Sequence, residues 1–130
     1  MSLEKKVVKT KGAGQPYGQY SQGIVAGNFL FIAGQIGLDK EGQMVLDNTE
    51  NEVRQVFENI KAILEAGGSS LNDVVRTLTF VKDLDIYETF KKVRAEYFPQ
   101  ESPPVNSFIQ VSDIQRGAHI EIEVTALVKK

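Results

Sequence analysis

Cysteine is absent from the 130 residues, and histidine occurs once, at His119. Without thiols there is no disulfide framework, no thiolate nucleophile and no sulfur-ligated metal. A single imidazole cannot build a multi-histidine zinc site within one chain, so no metal is expected. Long hydrophobic runs are missing as well. No segment approaches the roughly 20 apolar residues that cross a bilayer, and the opening Met-Ser-Leu-Glu-Lys-Lys lacks the apolar stretch of a secretory signal. The expectation is a cytoplasmic protein with no membrane partner, and the lack of cysteine suits that reducing compartment. Basic blocks are confined to Lys5-Lys6, Lys91-Lys92 and Lys129-Lys130, with 15 Lys and Arg against 17 Asp and Glu. Affinity for nucleic acid rests on a dense basic surface that neutralises phosphates. These lysines therefore read as solvated surface, and nucleic acid is not an expected partner.

What is present fits one domain over residues 1–130. Apolar residues make up 42% and charged residues 25%, ordinary values for a globular chain able to bury a core. Residues 5–10 suggest a short edge strand, and 11–20, with three glycines and Pro16, a loop. Two strands follow at 22–27 and 29–37, joined at Gly27-Asn28, a dipeptide suited to a tight turn with positive φ. An exposed turn spans Gly37 to Gly42. The clearest helix is 49–66: Val53, Val56, Phe57, Ile60, Ile63 and Leu64 recur at helical spacing, and Glu52, Arg54, Glu58, Lys61 and Glu65 fill the other face. Thr49 and Glu52 read as a capping box, and Gly67-Gly68 as the stop. Val74–Val81 is a β-branched strand. A second helix starts at Asp85 with Ile86, Phe90, Val93 and Tyr97 as its stripe, and Pro99 ends it. Strands at 105–111 and 119–128 complete the chain. In the last, Ile120, Ile122, Val124, Ala126 and Val128 alternate with Glu121, Glu123, Thr125 and Leu127.

This order predicts an α+β fold, a mixed sheet with both helices on one face. Phe29-Leu30-Phe31-Ile32-Ala33 is apolar at successive positions, which implies burial of both faces. Two helices cover only one, so the other cover is expected from a second subunit.

Familiar catalytic motifs are scarce. Gly12-Ala13-Gly14-Gln15-Pro16-Tyr17 begins like a dinucleotide fingerprint, but Tyr17 stands where the third glycine belongs, and the stretch does not lead from a strand into a helix. No phosphate loop, nucleophile elbow or metalloprotease helix occurs. His119 reads as a surface or interface residue rather than part of a triad. Glu121 and Glu123, two apart on one strand, sit on one face about 7 Å apart. They form either a solvated sheet face or, if a partner buries that face, carboxylates that position water for acid–base work. Asn106 and Phe108 share a face of the preceding strand and are expected to flank the same cleft.

Several segments, taken in order, resemble the RidA/YjgF family of reactive imine deaminases, also described as L-PSP endoribonucleases. They are Gly18-Gln19-Tyr20-Ser21-Gln22-Gly23, Ala33-Gly34-Gln35-Ile36, Asn59 to Gly68, Phe80-Val81-Lys82-Asp83-Leu84, and Ile120 to Ala126. The resemblance covers nearly the whole chain. It implies a chorismate-mutase-like fold and a homotrimer around a central barrel, with clefts between subunits. It further implies hydrolysis of 2-imino or enamine acids to keto acid and ammonia with no cofactor. By the same resemblance Tyr20, Ala33, Gly34, Lys91, Asn106 and Phe108 line the cleft, and Glu121 holds the attacking water. The sequence departs from the family's pattern where it matters for a carboxylate ligand. In Pro104-Val105-Asn106-Ser107, Asn106 replaces an arginine, Phe108 a cysteine, Ala33 a serine, and Lys91 a residue often asparagine. Asparagine cannot form the bidentate fork of a guanidinium, a loss of ~3 kcal/mol in a desolvated site. Two functions stay open: an imine deaminase with another cation, Arg116 or Lys91, as clamp, or a non-catalytic ligand-binding or regulatory trimer. An endoribonuclease fits the mild acidity and single histidine least.

Overall fold

The computed structural model describes residues 4–129. The opening Met-Ser-Leu, read above for a signal, and Lys130 lie outside them. The strands are β1 (Lys5–Val8), β2 (Gly23–Ala26), β3 (Phe29–Gln35), β4 (Val74–Val81), β5 (Val105–Gln110) and β6 (Ile120–Leu127). They form one mixed sheet in the order β1-β2-β3-β6-β4-β5. Only β4 and β5 run parallel. The helices α1 (Thr49–Ala66) and α2 (Tyr87–Arg94) pack on the same face.

The last strand of the chain is inserted at the centre of the sheet, antiparallel to both β3 and β4. Its alternation explains the placement: Ile120, Ile122, Val124 and Ala126 are fully buried under α1, among Val53, Phe57, Ile60 and Leu64. Burying a side chain of this size contributes about 1.5–3 kcal/mol, so the strand with the most regular apolar face takes the middle position. Aromatic packing ties the two helices together. Phe57 lies 5.0 Å from the Tyr97 ring and 6.3 Å from Phe90. The β2–β3 turn is the expected one, with Gly27 at φ 62°.

Several boundaries differ from the sequence reading. The cap of α1 is Asn48, whose Oδ1 accepts the Asn51 N–H at 2.8 Å; the Thr49–Glu52 capping box does not form. Glu52 also leaves the polar face assigned to it and is buried, 1% exposed. It is drawn inward because the chain before β6 offers donors that a buried carboxylate can satisfy. Asp83, not Asp85, starts the second helical segment: its Oδ1 accepts the Asp85 N–H at 2.8 Å, so a 3-10 turn at Leu84–Ile86 precedes α2. Tyr97 lies beyond α2, carried by further helical turns in which Phe98 N–H reaches Arg94 O. Val128 falls just outside β6.

The other face of the sheet carries Phe29 and Phe31 of β3, 41% and 48% exposed, with Leu127, Val105 and Ile109 alongside. Within one chain, then, the apolar run of β3 is buried on one face only. Among the described residues no helix is long and apolar enough to cross a membrane.

Candidate functional site

The site is built at an irregularity in the sheet. Ile32 pairs with Val124, but Gln35 pairs with Ile122, so three steps along β3 match two along β6. The extra residue is a β-bulge at Ala33-Gly34, a device that bends a strand and redirects its backbone. It brings Gly34 against the carboxylate of Glu121: a Cβ at position 34 would lie 2.8 Å from Glu121 Cδ. Any larger residue at position 34 would push that carboxylate out of its present place.

The loop between β1 and β2 forms the opposite wall. Gln22, 2% exposed, pins it with three hydrogen bonds. Its Oε1 accepts the Thr10 N–H at 2.7 Å, and its Nε2 donates to the carbonyls of Thr10 and Gly14 at 3.1 Å each. The Ala33 N–H donates to Gln22 O at 2.9 Å, linking this loop to the bulge. Tyr20 Oη accepts the Tyr17 N–H at 3.1 Å. The buried Asn59 side chain donates to Ile36 O and Leu38 O, fixing the chain just after β3.

Together these segments enclose a cavity of about 250 Å³, whose walls include Tyr17, Tyr20, Ala33, Gly34, Arg116 and Glu121. Burial pushes the Glu121 carboxyl above its ordinary range, and the neighbouring Glu123 charge adds to the shift. Neither a hydrogen bond nor a cation among the described residues offsets it. A half-buried carboxyl of this kind accepts and returns protons nearer neutrality than an exposed one, as acid–base work requires.

Four residues singled out in the sequence thus meet: Tyr20, Ala33, Gly34 and Glu121. Three others do not join them within one chain. Asn106 pairs with Thr77, and Thr77 with Val124. Side chains alternate along a strand, so Asn106 and Phe108 lie on the helix face, while Glu121 lies on the open one. Within one chain, therefore, they do not border the Glu121 cavity. Asn106 Oδ1 accepts the hydroxyls of Thr77 and Thr79 at 2.8 and 2.9 Å. Phe108 packs 5.0 Å from both Tyr87 and Phe90. Lys91 pairs with Glu88 at 3.3 Å, beside a separate hollow bordered by Tyr87 and Arg94.

Sequence reasoning missed Gln22 and Gln35 as wall residues, and it missed Tyr17; the Gly-rich spacing of 12–18 was the available signal of a wrapped loop. His119 is half-exposed, with Nδ1 2.8 Å from Glu52 Oε1. Its backbone N–H donates to Glu52 Oε2 at 2.7 Å. The buried carboxylate thereby anchors the strand two residues before Glu121. No cluster of three or more potential metal ligands occurs among the described residues.

Fold and cavity define a class: a small α+β chain whose sheet carries a half-buried carboxyl beside a bulge, on a face left open by its own helices. The chain belongs to the RidA/YjgF family. The family model described as endoribonuclease L-PSP matches residues 10–128. A RutC family protein of Pyrococcus horikoshii is 49% identical over 123 residues, 94% of this chain and 97% of its own length. A 2-iminobutanoate/2-iminopropanoate deaminase of Dermatophagoides farinae is 33% identical over 127 residues, 96% of this chain and 98% of its own. The crystal structure of RidA from an Antarctic Psychrobacter superimposes with a TM-score of 0.90 at 34% identity, covering 95% of this chain and 99% of the other.

Proposed function

We propose that this protein hydrolyses the imines or enamines of small 2-oxo acids to the oxo acid and ammonia, in clefts formed between copies of the chain. The observation that carries the reading is Glu121: a carboxyl held above its ordinary range, facing a cavity against the bare backbone of Gly34. Water attacks the imine carbon while Glu121 takes a proton from it, forming a C–O bond. The same carboxyl returns that proton to nitrogen to give a carbinolamine, then moves the hydroxyl proton to the same nitrogen, so that the C–N bond breaks as the C=O bond forms and ammonia leaves with the oxo acid behind. The name of the Dermatophagoides relative supports this substrate class.

The open sheet face supports the assembly. Phe29, Phe31, Leu127, Val105 and Ile109 present apolar area that a lone soluble chain rarely leaves uncovered. In a trimer, the exposed edge strand β5 of one copy, with Asn106, Phe108 and nearby Lys91, closes over the Glu121 cavity of the next. Light scattering at micromolar concentration should give three times the chain mass of 14.4 kDa. A monomer mass rejects the shared cleft.

The deciding experiment generates 2-iminobutanoate in place with an amino acid oxidase and follows its decay. Accelerated release of ammonia and 2-oxobutanoate supports the hydrolase; decay at the uncatalysed rate rejects it. Asn106 favours a second reading, a ligand-binding or regulatory trimer. Its Oδ1 is already committed to Thr77 and Thr79, and it offers no fork for a carboxylate.

A further inference from the structure

We infer that Arg116, supplied by the same chain as Glu121, is the cation that recognises the carboxylate of the ligand. The inference rests on the hydrolase reading and names the contact that Asn106 cannot make.

Three observations carry it. First, Arg116 borders the cavity that holds Glu121, Gly34 and Tyr20, whereas Lys91 borders another hollow. Second, its guanidinium is held but not neutralised. It lies 4.5 Å from the centroid of the Tyr17 ring, and no carboxylate of the described residues pairs with it. Stacking on an aromatic face orients the plane of the group and leaves its edge N–H donors free to fork onto an anion. Arg54, by contrast, is committed to Glu50 and Glu96, and Arg94 donates to Pro104 O.

Third, the backbone is held in an uncommon state to place it. Arg116 has φ 60° and ψ 27°, alone among the described non-glycine residues in having positive φ. A side chain in that region costs on the order of 1 kcal/mol, and such residues cluster at binding sites. Gly117, at φ 74°, continues the left-handed turn that returns the chain to β6 and Glu121.

Arg116 and Glu121 therefore line one cavity without pairing. A ligand with a carboxylate next to its reactive carbon can span them, its anion on Arg116 and its electrophilic carbon beside the water held by Glu121. That geometry selects 2-imino acids over neutral imines.

The test uses the assembled wild-type protein, Arg116→Asn and Arg116→Lys. Asparagine tolerates the left-handed backbone, so the fold is kept, and circular dichroism verifies it. The probes are 2-oxobutanoate, the stable product, and neutral 2-oxobutanamide, titrated calorimetrically. Arg116→Asn should weaken 2-oxobutanoate binding about 10- to 100-fold, the range of a lost charge-assisted fork, and leave the amide unchanged. Arg116→Lys should recover part of the loss, and with imine substrate KM should rise more than kcat falls. If Arg116→Asn binds 2-oxobutanoate as tightly as the wild type while imine hydrolysis persists, the inference is overturned and the hydrolase reading stands. An equal loss for acid and amide also overturns it, since charge would then not be what is read. A wild type that neither binds the oxo acid nor hydrolyses imines overturns both.

Discussion

Glu121→Gln should lower kcat/KM for 2-iminobutanoate by about 10²- to 10⁴-fold, the usual contribution of a positioned acid–base group. Glu123→Gln, on the same strand face but without the Gly34 contact, should leave the plateau rate within about threefold. Ammonia release measured across pH separates the two roles. In the wild type the acid limb should lie above the ordinary carboxylate range, because burial and then Glu123 raise the Glu121 pKa. Removing the Glu123 charge should move that limb to lower pH. The sign for stability follows from the same shift. A carboxyl whose folded pKa exceeds its unfolded value stabilises fully below the unfolded pKa, and that contribution is lost as pH rises through the folded one. Glu121→Gln should therefore gain thermal stability over the wild type at pH 7 and little at pH 4. An active Glu121→Gln would remove the carboxyl from the mechanism, and no stability gain at pH 7 would show that it ionises without strain.

The largest stability effect should come from Glu52. Its carboxylate, buried beneath α1, accepts both the backbone N–H and the Nδ1 of His119. Its methylene packs on Gly37, where a Cβ would come within 2.9 Å of Glu52 Cγ. Glu52→Ala deletes packing atoms and leaves donors unanswered at the start of the central strand. The expected cost is ~2–4 kcal/mol, or on the order of 10 °C in Tm, read by calorimetry. Glu52→Gln keeps one acceptor and should lose less. His119→Ala removes only the half-exposed ring and should cost under about 1.5 kcal/mol. If all three melt with the wild type, the anchor at the start of β6 is no anchor.

The contrast between Glu52 and Glu121 shows how much of this protein could be read from its chain. Elements repeat locally, so their existence is legible: the 3.6-residue stripe of α1, the alternation of β6 and the Gly27-Asn28 turn each appear within a few residues of sequence. Glu121, Gly34 and Tyr20 were recognised through the family pattern, and the cavity unites them. The sequence also leaves Phe29 and Phe31 on a face that the chain's own helices do not reach.

Burial of one polar residue among several on a helix is not local. Glu52 looks like its charged neighbours until the chain 67 positions later supplies two donors. Strand order is likewise decided at a distance: with β6 inserted between β3 and β4, register parity sends Asn106 and Phe108 to the helix face and Glu121 to the open one. A shift of one residue would have reversed them. The bulge at Ala33-Gly34 and the left-handed Arg116 are departures from regular pairing that no periodicity announces, since each exists only where two distant segments must meet. The sequence by itself therefore determined the elements and the family, both written in local pattern. Tertiary structure alone decided which side chains share the cavity, because that depends on register and insertion order across the whole sheet.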